Sequence, residues 1–257
     1  MITYLRAEFY KIWNRKCAWV FLALGIFGSL FINFMLRISR MGESFPNKNI
    51  SLMFAIEIMI QLGWFLVLAI MNIEHTNESR NSMLKNTVSF GINRTKVYFY
   101  RFITEALLMA FMVLVYGVIY FICSRIFLGS QPITGDIMSD YIKIILLCYV
   151  LWLGALALGH MMAMNMNSGS AVSTIFCLVF MMYNTILQGL GLLFKNSEVI
   201  SDMIKWLLDV SLKSNIGKLM GDSISGEITS NVIQCGLVHM ALFLVIGYVI
   251  YRKKEIK

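Results

Sequence analysis

Six stretches of this chain, at about 17–36, 51–73, 98–123, 138–163, 171–194 and 230–251, each run for about 20 residues or more with few charges. A bilayer core about 30 Å thick is crossed by about 20 helical residues. Within lipid a backbone has to satisfy its own hydrogen bonds, which a helix does inside one segment. No strand-like alternation of about ten residues recurs, so a barrel is disfavoured. The expected fold is an all-α membrane protein with six transmembrane helices, forming one membrane domain over residues 1–257.

Composition agrees. Hydrophobic residues make up 58% and charged residues 14% of the chain, against about 45–50% and about 25% in soluble domains. The formal charge of +8 could be read as a nucleic-acid footprint, but no aromatic residues are interleaved with the basic ones in a soluble module. Cytoplasmic loops of membrane proteins collect Lys and Arg, and no nucleic-acid partner is expected.

With the N-terminus inside, the inner face holds Arg6, Lys11, Arg15, Lys16, Arg80, Lys85, Arg94, Lys96, Arg101 and the C-terminal basic cluster from Arg252 to Lys257. Six spans then place both termini in the cytoplasm. Lys195, Lys205, Lys213 and Lys218 fall outside in this scheme, with most of the acids. No signal peptide is expected, because the basic start lacks a cleavage site and the first apolar run is long enough to stay in the bilayer.

Two amphipathic stretches flank the spans. In residues 1–16, Ile2, Leu5, Phe9, Ile12 and Trp13 share a helical face that the basic residues largely avoid, the pattern of a helix lying in the interface. In 199–214, Ile200, Met203, Ile204, Leu207 and Leu208 form a second stripe, on an outer segment that either caps an exit or packs on the surface.

Chemistry-bearing motifs are sparse. There is no G-x-x-x-x-G-K-[ST] loop for nucleotide phosphates, no H-E-x-x-H and no G-x-S-x-G elbow. The five cysteines stand apart without C-x-x-C spacing and read as small buried hydrophobes. His75, His160 and His239 keep no ligand spacing, so each reads as structural or interfacial. No catalytic or metal site is expected. Ionisable groups at membrane depth carry more information, since a charge near the bilayer centre costs about 2.5–3.5 kcal/mol on insertion scales. Glu57, in the second stretch, has no evident partner in its own helix and is the preferred group for a polar transport path. Glu105 is the second candidate, although Arg101 stands one turn before it and can pair with it while snorkelling to the interface. Small residues at Ala155, Gly159 and Ala163, and at Gly25 and Ser29, mark faces where helices can approach closely.

The polar island between the second and third stretches is the most specific feature. In "EHTNESRNSMLKNTVSFGINR" Asn81 or Ser82 can cap a short helix through Met83, Leu84, Lys85 and Val88 that ends at Gly91, and Asn93 offers a fresh N-cap for the third span. The run Glu74, Glu78, Ser82, Leu84, Lys85, Asn86, Gly91, Asn93 and Arg94 resembles the cytoplasmic loop of ABC transporter permeases of the type 2 export class. There an acidic residue ends the second span, and a Gly-Thr-x-Lys-Asn-like helix, a Gly and a Ser-Arg-like pair follow. Here Asn81 and Ser82 stand for the Gly and Thr, and Asn93 for the Ser.

The resemblance implies a permease domain whose coupling helix, near residues 80–91, is gripped by a separate ABC ATPase. The contact residues it suggests are Glu74, Glu78, Arg80, Ser82, Leu84, Lys85, Asn86, Val88, Gly91 and Arg94. It further implies a second permease subunit, identical or similar, with ATP and Mg bound by the ATPase and no cofactor in this chain. Size and a Met- and Phe-rich composition are similar to lantibiotic-protection and bacitracin-resistance permeases, which implies an antimicrobial-peptide or related amphipathic substrate. Two other classes remain open at this point: an ion-coupled carrier using Glu57 and Glu105, and a non-transporting scaffold or sensor subunit.

Overall fold

A computed structural model of the chain describes residues 2–40, 63–73, 93–128, 135–166, 168–219 and 225–253. The described residues form nine helices: α1 (Ile2–Trp13), α2 (Lys16–Arg40), α3 (Gly63–Ile73), α4 (Arg94–Leu128), α5 (Gly135–Asn165), α6 (Gly169–Leu193), α7 (Glu198–Val210), α8 (Leu212–Lys218) and α9 (Gly226–Lys253). No strand occurs among these residues. Segments within α2, α4, α5 and α9 are each long and apolar enough to cross a membrane. The two halves of α6, Gly169–Phe180 and Met182–Leu193, pass the same test together across a bend of 40°. That makes four candidate spans among the described residues, or five with the bent pair. Of the second expected span only 63–73 is described. Residues 51–62, and with them Glu57, lie outside the described residues, as does the expected coupling helix.

Helix ends follow local chemistry. The side chain of Asn93 accepts from the backbone N–H of Thr95 at 3.0 Å, so the expected cap starts α4. Ser168 caps α6 by accepting from Ala171 N–H at 3.4 Å. Helix α4 is longer than the expected third span at 98–123, because its polar first turn from Arg94 continues the same helix as the apolar run.

Close packing fixes how the helices run. Tyr149 Oη donates to the Ala106 carbonyl at 2.9 Å and Tyr141 Oη to that of Gly117 at 3.4 Å, so α4 and α5 are antiparallel. The most extensive pairing is α5 with α9. Contacts of Gly154 with Gly236 and of Asn165 with the Gly247 carbonyl make these two helices parallel. A Cβ on Gly236 would stand 2.7 Å from the Val150 carbonyl oxygen, and a backbone atom cannot swing away. Gly236→Val is therefore expected to destabilise the purified protein by about 1–3 kcal/mol, the usual cost of overpacking. Thermal unfolding in detergent would register it as a lower midpoint, and an unchanged midpoint would refute this packing.

The small-residue faces are contacts inside the bundle. Gly25 packs on the Tyr116 ring and Gly159 on the Met71 side chain, with no room for a Cβ at either. On α1 the inward face includes Ile12 at 2% exposure but also Glu8, which is as buried and accepts from Lys11 Nζ at 2.9 Å. Trp13, expected on the apolar stripe, is 54% exposed and lies edge-on to Trp19. Cys123 and Cys148 are buried, whereas Cys17 is exposed rather than a core hydrophobe.

Candidate functional site

Residues 74–92, between α3 and α4, contain all but one of the expected coupling residues and lie outside the described residues; the exception, Arg94, opens α4. Both flanks of this segment are placed. On the upstream side Arg15 donates to the carbonyl of Ile73, the last described residue of α3. Two residues earlier Met71 fills the space beside Gly159 of α5. On the downstream side Thr95 and Tyr248 share a hydroxyl hydrogen bond of 2.8 Å. Tyr98 is buried against Tyr251, with ring centroids 5.5 Å apart, so the first turns of α4 dock on the end of α9.

Between these two anchor points sits a buried polar cluster. His160, next to Gly159, places Nδ1 at 2.9 and 3.0 Å from the two carboxylate oxygens of Glu105, and both side chains are fully buried. One ring nitrogen almost equidistant from both oxygens lets a single imidazole edge bridge the carboxyl group. The imidazole is held edge-on by Tyr98, centroids 4.6 Å apart, and by Phe102 at 5.6 Å. Arg101, one turn before Glu105, is 1% exposed, with a guanidinium nitrogen 3.9 Å from Met164 Sδ. Its side chain is covered within the protein, beside Met164 of α5.

Glu105 thus has a cross-helix partner on α5, and reading His160 as merely structural overlooked it. The overlooked signal was an ionisable side chain inside an apolar run, which calls for the same suspicion on His160 as on Glu105. What the cluster does physically is tie α4 to α5 by a hydrogen bond in a low-dielectric interior, where such bonds are strong when made and costly when broken.

An apolar cavity of about 420 Å3 lies between α2, α3, α4 and α5, lined by residues such as Leu24, Leu66, Tyr116 and Trp152. Ser29 and Asn72 are among its few polar groups; Glu105 is not in its lining.

Residues 4–184 match the model of a family described as ABC-2 family transporter protein. The chain belongs to that family. No curated protein is similar enough to the chain to count as a match. Membership in the ABC-2 family makes this a multi-pass membrane protein of an ABC transporter and implies an ABC ATPase partner. The match takes in the buried cluster and both flanks of segment 74–92. In this ABC-2 protein, then, the Glu105–His160 tie lies between the two places where that segment joins the bundle.

Proposed function

We propose that this chain is the permease subunit of an ATP-driven ABC exporter, moved through residues 74–92 by a separate ATPase that binds ATP and Mg. The observation that carries this reading is the family match over residues 4–184, joined to the tie of Glu105 to His160 beside both flanks of the segment. A push on that segment enters the bundle at Ile73 and at Arg94. Because α4 and α5 are fastened by a buried bond, they respond as a unit rather than splaying, and the tilt reaches the cavity between α2 and α5. Glu74, Glu78, Arg80, Ser82, Leu84, Lys85, Asn86, Val88, Gly91 and Arg94 form the grip. The functional unit is a pair of such permeases in a bacterial plasma membrane, with both termini cytoplasmic. The cargo is an amphipathic, antimicrobial-type peptide, in keeping with the likeness to lantibiotic-protection and bacitracin-resistance permeases.

Purification of the chain with its ABC ATPase and reconstitution into liposomes tests this reading: transport should require ATP hydrolysis and cease without the ATPase. Transport driven by a proton or sodium gradient alone, indifferent to ATP, would overturn it. A buried carboxylate–imidazole pair is also the chemistry of a proton relay, which is the observation favouring an ion-coupled carrier, and the same experiment separates the two. Glu57, as a group lining the path, gives a further expectation. Glu57→Gln should change the transport rate by about tenfold with assembly intact, and an unchanged rate would reduce the residue to structure.

A further inference from the structure

Helix α8 reaches deeper than the outer position expected of its segment. Leu212 packs beside Gly154, in the middle part of α5, and Asn215 Nδ2 donates to Cys235 Sγ at 3.4 Å, well inside α9. These contacts bring Lys213, placed outside by the charge distribution, level with the apolar interior of two candidate spans. There it lines a cavity of about 310 Å3 walled by α5, α6, α7, α8 and α9.

Most polar groups on that wall are spent inside the protein. Asn184 donates through Nδ2 to Ser214 Oγ at 3.2 Å, and its Oδ1 is fully buried and out of reach of a ligand. Ser211 Oγ donates to Ser214 Oγ at 2.9 Å, and His239 Nδ1 bonds the Cys235 carbonyl at 2.8 Å. Lys213 and Tyr183 differ, since neither has a hydrogen-bond or ion-pair partner among the described residues. The neighbouring cations are neutralised: Lys205 pairs with Asp202 at 2.9 Å and Lys218 with Asp209 at 2.6 Å. No Asp or Glu among the described residues lines the cavity. It therefore offers a positive charge and a phenol hydroxyl, with no carboxylate to answer them.

An ammonium at the depth of membrane helices is costly without a counter-ion. A carboxylate placed on it makes a charge-assisted hydrogen bond, of the stronger kind. Leu158, Phe180, Leu207 and Phe243 supply apolar wall beside it. A cavity of about 150 Å3 holds one benzene, so about 310 Å3 takes an apolar body of about two rings.

We propose that this cavity binds a small amphipathic acid, its carboxylate on Lys213 and its apolar body against Leu158, Phe180 and Phe243. The inference concerns the isolated chain and does not depend on coupling to an ATPase.

The test titrates the full chain, purified in phosphatidylcholine nanodiscs, with naphthoate and with naphthamide, which keeps the shape and removes the charge. Calorimetry, with empty nanodiscs subtracted, gives both affinities. Naphthoate should bind at least about tenfold more tightly than naphthamide. Lys213→Gln should remove that preference by weakening naphthoate about tenfold and leaving naphthamide unchanged, and Lys213→Arg, which keeps the charge, should retain it. Val210→Trp, on the cavity wall, should weaken both probes. Equal binding of the two probes to the wild type, or binding of neither, would overturn the proposal without recourse to a variant. So would a Lys213→Gln or Val210→Trp chain that binds both probes like the wild type at an unchanged unfolding midpoint. Naphthoate binding in detergent that vanishes in the nanodiscs would overturn it in favour of a lipid phosphate on Lys213.

Discussion

Glu105→Ala is expected to cost the folded protein about 1–3 kcal/mol, the usual penalty for taking the partner from a buried hydrogen-bonding group, and to reduce ATP-driven transport at least tenfold. The reason is local. His160 is fully buried with its Nδ1 on both Glu105 oxygens, so removing the carboxylate takes a hydrogen-bond partner from a polar ring packed edge-on to Tyr98 and Phe102. His160→Ala should be damaging for the converse reason. The double replacement Glu105→Leu with His160→Phe restores apolar contact and should recover a large part of the stability while leaving transport impaired, if the tie transmits motion. A double-mutant cycle on unfolding midpoints and on transport separates the two roles. Recovery of transport along with stability would show the pair to be structural only.

The second large effect concerns the segment before α4. Leu84→Glu with Val88→Glu puts two carboxylates on the face proposed to press into the ATPase, where charges would be buried without partners. Binding of the ATPase should fall by roughly 100-fold, or about 2.8 kcal/mol at about 1.4 kcal/mol per tenfold. Membrane insertion should be unaffected, because no apolar stretch is altered. Retention of full binding in a pull-down would remove the coupling assignment from these residues.

Much of the architecture was readable from apolar run length, because lipid imposes it: the cores of α2, α4, α5, α6 and α9 fall within the stretches expected to span. The Asn93 cap was readable for a similar reason, being a local hydrogen bond. Cross-helix relations were not. Glu105 was recognised as anomalous, but a search along its own helix finds Arg101 and cannot find His160, 55 residues away in sequence and 2.9 Å away in space. The stripe of α7 was visible, and Ile204 does turn inward at 5% exposure. The break at Ser211, from which α8 carries Lys213 to a cavity shared with α5 and α9, depends on packing that no periodicity encodes. Gly154 and Gly236 were missed for the same cause: each reads as an isolated glycine until the facing helix is known.

The most direct test of a permease driven through residues 74–92 places a photoreactive side chain at position 88 and irradiates membranes containing the co-expressed ABC ATPase. The account predicts a cross-link between the two chains whose yield changes with ATP. No cross-link, together with modification of position 88 by a membrane-impermeant reagent added to the outside of intact cells, would contradict it.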